Sequence, residues 1–307
     1  MTPTLRRASP VDLQTRPVPT SRPAREVFEE IVRELELADI PTAVGDAEVI
    51  VAHILGITRI EVQEGGAEGR SFSSGQLDTV AEFVTRRKAR EPLQHLTGKA
   101  LFRELTLAVG PGVFVPRRET EFVAELAIRA LKAQPSPHPI AVDLCMGAGA
   151  IALSMATEVP NATVYGVELD PAGFAWAKRN FETIAPHNAF PFNGDVADAF
   201  PELDGLVDVI GTNPPWLPIG IPPATPEVAL WDPPVTWFGG DEDGMHVVRT
   251  VSRTGIRLGR PGASLAMEHG ISQAPLVRSI LAADGWVDIR SHVDPRGRER
   301  VTTATHP

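Results

Sequence analysis

Apolar residues recur at helical spacing in the first third of the chain. Phe28, Ile31, Val32 and Leu35 fall on one face of a 3.6-residue repeat, and Leu77, Val80, Ala81 and Val84 repeat the spacing further on. Between them, Thr42 to Leu55 reads as a further helix, with Gly56 placed to stop it. The pattern predicts a small helical N-terminal domain over residues 24–98. From Lys99 to Val115 the spacing shifts toward alternation at Leu101, Leu105, Leu107, Val109 and Val113, with a turn signal at Pro111-Gly112, so residues 99–115 read as a β-hairpin linker.

Past Pro116, short β-rich runs alternate with helical stretches, the signature of a parallel sheet covered by helices. The expected strands are Ile140 to Leu144, Thr163 to Glu168, Val207 to Thr212, Ser264 to Glu268 and Val287 to His292. The expected helices are Glu119 to Leu131, Ala150 to Thr157, Phe174 to Ile184 and Ala274 to Ala283. Residues 116–307 are therefore read as an α/β domain. Within it, Asn213 to Gly240 holds eight prolines and three tryptophans, too many imino residues for a long helix or a central strand. This segment is expected to be a long ordered loop, and such loops commonly carry function.

Composition narrows the class. A chain of 307 residues with 43% apolar and 22% charged residues is an ordinary globular protein of about two domains. The 29 basic and 39 acidic residues leave a net charge of −10, which argues against a DNA-binding protein that neutralises many phosphates. The single cysteine, Cys145, excludes internal disulfides and fits a reducing cytoplasm. No apolar run approaches the roughly 18 residues that span a bilayer, so no membrane association is expected. Residues 1–23 read as a disordered Pro/Arg-rich tail; its arginines bear a weaker likeness to an organelle transit segment.

The run Asp143-Leu144-Cys145-Met146-Gly147-Ala148-Gly149 lies where a buried strand turns into a helix, and its glycines let the backbone approach a ligand closely. Gly147 to Ala152 also satisfies the dinucleotide pattern G-x-G-x-x-A, so a nicotinamide oxidoreductase is one reading. Asp143 turns the choice toward S-adenosylmethionine (SAM), whose ammonium it could meet directly or through water. Glu168 ends the next strand, where an acid can accept from both ribose hydroxyls. Gly194-Asp195-Val196 follows an expected third strand, ahead of Val207 to Thr212, and Asp195 is placed to accept from an adenine amino group, with Val196 against the ring. Cys145 reads as a small residue under a tight turn, since no nearby feature lowers its pKa. The eight histidines show no metal-ligand spacing and no Ser-His-Asp set, so no metal is expected.

The most specific signal is Asn213-Pro214-Pro215-Trp216 at the end of the fourth strand. The Asn213 side-chain carbonyl and the Pro214 backbone carbonyl are two acceptors, and together they can hold one NH2 group. In amides, guanidines and adenine the amino lone pair is delocalised and poorly nucleophilic; fixing both N–H bonds aims it at a methyl donor. The resource is orientation and electrostatics. Trp216 is expected to cover the planar group, and its face also suits a cation.

These segments resemble the HemK/PrmC protein-(glutamine-N5) methyltransferases, which modify the Gly-Gly-Gln loop of peptide-chain release factors. The likeness spans residues 25 to 304. It runs through Arg90 to Gly98, Val115 to Glu121, Asp143 to Gly149, Asn213 to Trp216, Phe238 to Gly240 with Asp243 to Met245, Glu268 to Gly270, and Gly297 to Thr303. It implies a helical N-terminal domain, a hairpin linker and a seven-stranded Rossmann-like SAM-dependent methyltransferase domain. It also implies SAM contacts at Cys145, Met146, Gly147, Ala148, Gly149, Glu168, Val196 and Asn213, and substrate-amide contacts at Asn213, Pro214, Pro215 and Trp216. The family usually has Tyr where Trp216 stands, often Gly at Cys145, and hydroxyl residues at Met146 and Ala148. The expected activity is SAM-dependent N-methylation of a planar NH2 on a release factor. The alternatives are a free-standing enzyme for a small amide or guanidine such as arginine, an adenine methyltransferase, and a non-catalytic SAM-binding module.

Overall fold

The computed structural model describes residues 21–185 and 187–307, and the chain divides into two compact units between Lys88 and Ala89. Most of the expected tail lies outside the described residues. Its last three, Ser21–Pro23, form a strand, β1, antiparallel to β2 at Ser71–Ser73, so the tail ends sooner than expected.

The rest of the first unit is helical: α1 (Ala24–Glu36), α2 (Ala43–Leu55), α3 (Arg59–Gln63) and α4 (Ser74–Lys88). Gly56 stops α2 as expected, in the left-handed conformation at φ +67°. The buried faces are rotated from the expected ones. In α1 the core residues are Ala24, Val27, Ile31 and Leu35, and Phe28 and Val32 sit on the shoulders. In α4 they are Val80, Phe83 and Arg87, while Ala81 is exposed. On α4, Asp46 of α2 receives the buried Arg87 guanidinium at 2.7 Å, which places that side of the helix inward.

The second unit starts with α5 (Leu93–Thr97) and the hairpin strands β3 (Lys99–Phe102) and β4 (Leu105–Ala108). The hairpin turns at Arg103-Glu104, ahead of Pro111-Gly112, and Arg103 is held there by Glu125 at 3.0 Å and Glu158 at 2.6 Å. Nor is it a free linker: Phe102, Leu107 and Val109 are fully buried in the core of the second unit. A 3-10 turn at Arg118–Thr120 leads into α6 (Glu121–Lys132). Then follow β5 (Ile140–Asp143), α7 (Ala150–Glu158), β6 (Thr163–Glu168), α8 (Pro171–Ile184), β7 (Ala189–Asn193) and β8 (Val207–Thr212). The chain closes with α9 (Pro226–Trp231), α10 (His246–Leu258), β9 (Gly259–Glu268), α11 (Ala274–Ala283), β10 (Val287–Val293) and β11 (Glu299–Thr305).

Seven strands form one sheet in the order β10-β11-β9-β8-β5-β6-β7, parallel except for β11, which runs antiparallel to both neighbours. All six residues of β8 are buried, as a central strand covered on both faces requires. The order fits the Rossmann-like domain implied by the resemblance. The strand β11 and the helix α10 were not anticipated, and the Pro-rich segment contains α9, whose Pro226 sits at the first helical position where no N–H is needed.

One buried polar residue ties three parts of this unit together. Asn180 on α8 accepts from Ala108 N at 2.8 Å, and its amide nitrogen donates to Ala108 O at 3.0 Å and to Ala148 O at 2.9 Å. It thus extends the edge of β4 and anchors the loop after β5. Asn180→Leu leaves one backbone N–H and two carbonyls without that partner and is expected to cost about 3 kcal/mol, read as a lower urea midpoint with unchanged slope.

Candidate active site

The chain leaves β5 in one direction along the sheet and returns at β8 on its other side. A crevice therefore opens beyond the carboxyl ends of these two strands. A cavity of about 310 Å³ occupies it. One side is the loop Cys145 to Ala148 with Glu168, Asp195 and Val196; the other is Phe114, Pro116 and Thr120 with Asn213 and Pro215. Val235, Thr236, Phe238 and the start of α10 complete the wall.

The glycine loop is built from below. Asp143, fully buried at the end of β5, accepts from Cys145 N and Ala152 N at 3.3 Å each, and its burial pushes its pKa up to about 7. Both oxygens bind the loop and α7, and Asp143 is behind the cavity wall, not on it. Glu168 accepts from Gly147 N and Asp170 N at 2.9 Å each, and burial raises its pKa. Gly147 (φ +53°) faces open space, whereas a Cβ on Gly149 (φ +91°) would stand 2.6 Å from the Phe181 ring. Gly149 thus serves the packing under the loop. Met146 and Ala148 are buried residues of the wall. Asp195 is exposed on its rim and accepts from Ala197 N at 2.9 Å. The Cys145 thiol is pushed well up by burial and by Glu168, so it stays protonated. A groove with a glycine loop on one wall and acceptor-only groups at Glu168 and Asp195 fits a ligand that presents a ribose diol and an amino-substituted ring.

At the end of β8, Asn213 reaches the cavity, and its amide nitrogen lies 3.3 Å from Thr120 Oγ1. The Thr120 hydroxyl in turn donates to Glu268 Oε2 at 2.7 Å. Pro215 lines the wall, while Pro214 is buried behind it. Trp216 is also off the wall. Its ring lies 5.4 Å from the Arg300 guanidinium, against Gly270, and its carbonyl accepts from Gln273 Nε2 at 2.8 Å. The expected cover over the planar group thus has a protein cation on its face.

The Pro-rich segment folds back on itself, with Leu217 bridged to Phe238 and the Trp237 and Phe238 rings 4.1 Å apart. Its buried Asp232 meets Arg117 at 3.4 Å, and Arg117 stands over the Phe114 ring at 5.3 Å. The wall residues Phe114 and Val235 therefore sit on segments that this ion pair joins. Sequence reasoning passed over Asn180 and Asp232, and named Thr120 and Glu268 only within the segments of the resemblance, without a role. The available hints were a polar Asn180 on the apolar stripe of α8 and an acid after the apolar run Leu265 to Met267.

Residues 26–98 match the PrmC N-terminal domain and residues 104–218 the methyltransferase small domain. A release factor glutamine methyltransferase of Streptomyces coelicolor is 41% identical over 280 residues, 90% of this chain and 95% of its own. That of Bifidobacterium longum is 37% identical over 284 residues, 90% and 97% of the two chains. The chain belongs to the release factor glutamine methyltransferase family. A further relative, the 4-amino-L-phenylalanine/4-methylamino-L-phenylalanine methyltransferase of Streptomyces pristinaespiralis, is 41% identical over 218 residues, 70% of this chain and 72% of its own. The protein is accordingly a SAM-dependent methyltransferase. Among the described residues, no helix is long and apolar enough to cross a membrane.

In this methyltransferase, burial pushes Asp143, Asp232 and Glu268 up to about 7. The folded chain then holds protons that the unfolded chain releases near pH 4, so stability falls as pH rises from about 4 to about 7. The melting temperature of the ligand-free enzyme is expected to drop between pH 5 and pH 8, and Asp232→Asn to drop less. An equal drop in that variant, measured by scanning fluorimetry, would remove Asp232 from the account.

Proposed function

We propose that the enzyme methylates the carboxamide nitrogen of a glutamine side chain, in the Gly-Gly-Gln loop of a peptide-chain release factor, and acts in the cytoplasm. The observation that carries this is Asn213 on the cavity wall with its nitrogen turned to Thr120, which leaves Oδ1 as an acceptor for a substrate N–H. When bound, SAM supplies a methyl group activated by a sulfonium. The chain's part is to hold it and to aim the nitrogen. Cys145 to Gly149, Glu168, Asp195 and Val196 form the binding side, with Asp143 and Gly149 supporting the loop from behind. Asn213 and Pro215 form the reacting side, with Pro214 behind them, and a fixed N–H bond turns the delocalised lone pair toward the methyl. Relatives named for release factor glutamine methylation support this substrate.

The Arg300 guanidinium on the face of Trp216 weighs against a free guanidine as substrate, because the aromatic face that would have met it has a partner within the protein. A small aryl amine keeps a specific support, since the Streptomyces pristinaespiralis relative is named for one.

Incubation with methyl-labelled SAM and, in parallel, release factor, arginine and 4-aminophenylalanine is expected to label the release factor alone, on its loop glutamine. Label on a small molecule alone would overturn the reading. Asn213→Ala is expected to lower turnover by roughly 10²- to 10³-fold with the melting temperature retained, and full turnover in that variant would remove Asn213 from the reaction.

A further inference from the structure

Three residues far apart in sequence form one hydrogen-bonded line into the cavity: Glu268 at the end of β9, Thr120 before α6, and Asn213 after β8. Glu268 and Thr120 are each 4% exposed, so solvent takes little part in their bonding. A carboxylate has no hydrogen to give. Thr120 has one, and at 2.7 Å it goes to Glu268 Oε2. Toward Asn213, 3.3 Å away, the hydroxyl then offers only lone pairs. These are satisfied by the NH2 end of the amide. A flipped amide would set two acceptors against each other in a buried place, which is costly.

We propose that Thr120 and Glu268 are positioning residues that impose the orientation of the Asn213 amide, nitrogen inward and oxygen toward the reacting nitrogen. The proposal rests on the reading of Asn213 as the substrate acceptor. Its polarity depends on an ionised Glu268. Arg300, 3.8 Å away, and Arg298 favour the anion, whereas burial and Glu119 oppose it and push the carboxyl up to about 7. Once protonated, Glu268 can donate to Thr120; the hydroxyl hydrogen is then free to turn to Asn213, and the carbonyl is drawn inward. The acceptor leaves the cavity with it. Turnover is therefore lost as pH falls through neutrality.

With release factor as substrate and SAM saturating, Thr120→Val is expected to lower kcat by roughly 10²-fold, and Thr120→Ser to stay within about threefold of the parent. Calorimetry with S-adenosylhomocysteine should give the same Kd for all three. Glu268→Gln should flatten the acid limb of kcat. A second readout needs no substrate: at pH 8 the Asn213 NH2 protons, assigned by their loss in Asn213→Ala, should show NOEs to the Thr120 side chain. Absent NOEs overturn the proposal. So does a Thr120→Val enzyme at full kcat while Asn213→Ala is inactive, or a Ser variant as impaired as the Val one. Full turnover in Asn213→Ala instead breaks the reading of Asn213, and an unlabelled release factor breaks the choice of substrate, with the NMR result still deciding the orientation.

Discussion

The loop between β5 and α7 hangs on two carboxylates, and the shape of the cavity follows from that. Asp143 reaches up from the end of β5 to Cys145 N and Ala152 N, and Glu168 reaches across from β6 to Gly147 N. Asn180 draws in the Ala148 carbonyl from a third side. Each acid pays for burial with a raised pKa and is offset by backbone N–H groups that would otherwise point at nothing. A loop held in this way keeps its donors and its open face at Gly147 fixed before any ligand arrives, which is the condition for a precise site.

Much of the sheet was legible because its strands are short β-rich runs bounded by turns. Thr163–Glu168 and Val207–Thr212 coincide with the expected limits, as does α11. What sequence periodicity cannot carry is pairing between distant segments. The strand β11, Glu299–Thr305, is rich in hydroxyl residues and has no apolar run of its own; it is a strand because β9 and β10 flank it. Arg87 lies inside because Asp46, 41 positions earlier, neutralises it. The hairpin turn moved for the same reason. Glu125 and Glu158 hold Arg103 in the turn, and the Pro111-Gly112 signal falls after the second strand.

The site divides along the same line. Of the residues that line the cavity, Gly147, Glu168, Asp195 and Asn213 were readable from their spacing at strand ends, because an α/β sheet presents its strand ends to the ligand side, whereas Cys145, Met146 and Ala148 were indicated by the family resemblance. Residues that act on those residues could not be read from spacing. Thr120 meets Asn213 across 93 positions and Glu268 across 148, and each is an unremarkable member of its own segment. Asp143 shows the reverse error. Its place at a strand end suggested ligand contact, but a fully buried carboxylate next to unpaired loop N–H groups binds those first.

Trp216 bears on specificity through what it no longer offers. With Arg300 over one face and Gly270 beside it, the ring is part of the support behind Asn213 and Pro215, not a free wall. The groups that face the cavity here are Phe114 and Pro116 on one segment and Val235, Thr236 and Phe238 on the other. These two segments are joined by Arg117 and the buried Asp232. These walls lie on segments separate from the glycine loop and from Asn213. Relatives named for substrates as unlike as a release factor and an aromatic amino acid are each 41% identical to this chain, so overall identity does not separate the two substrate classes and the cavity's own lining is where they must differ.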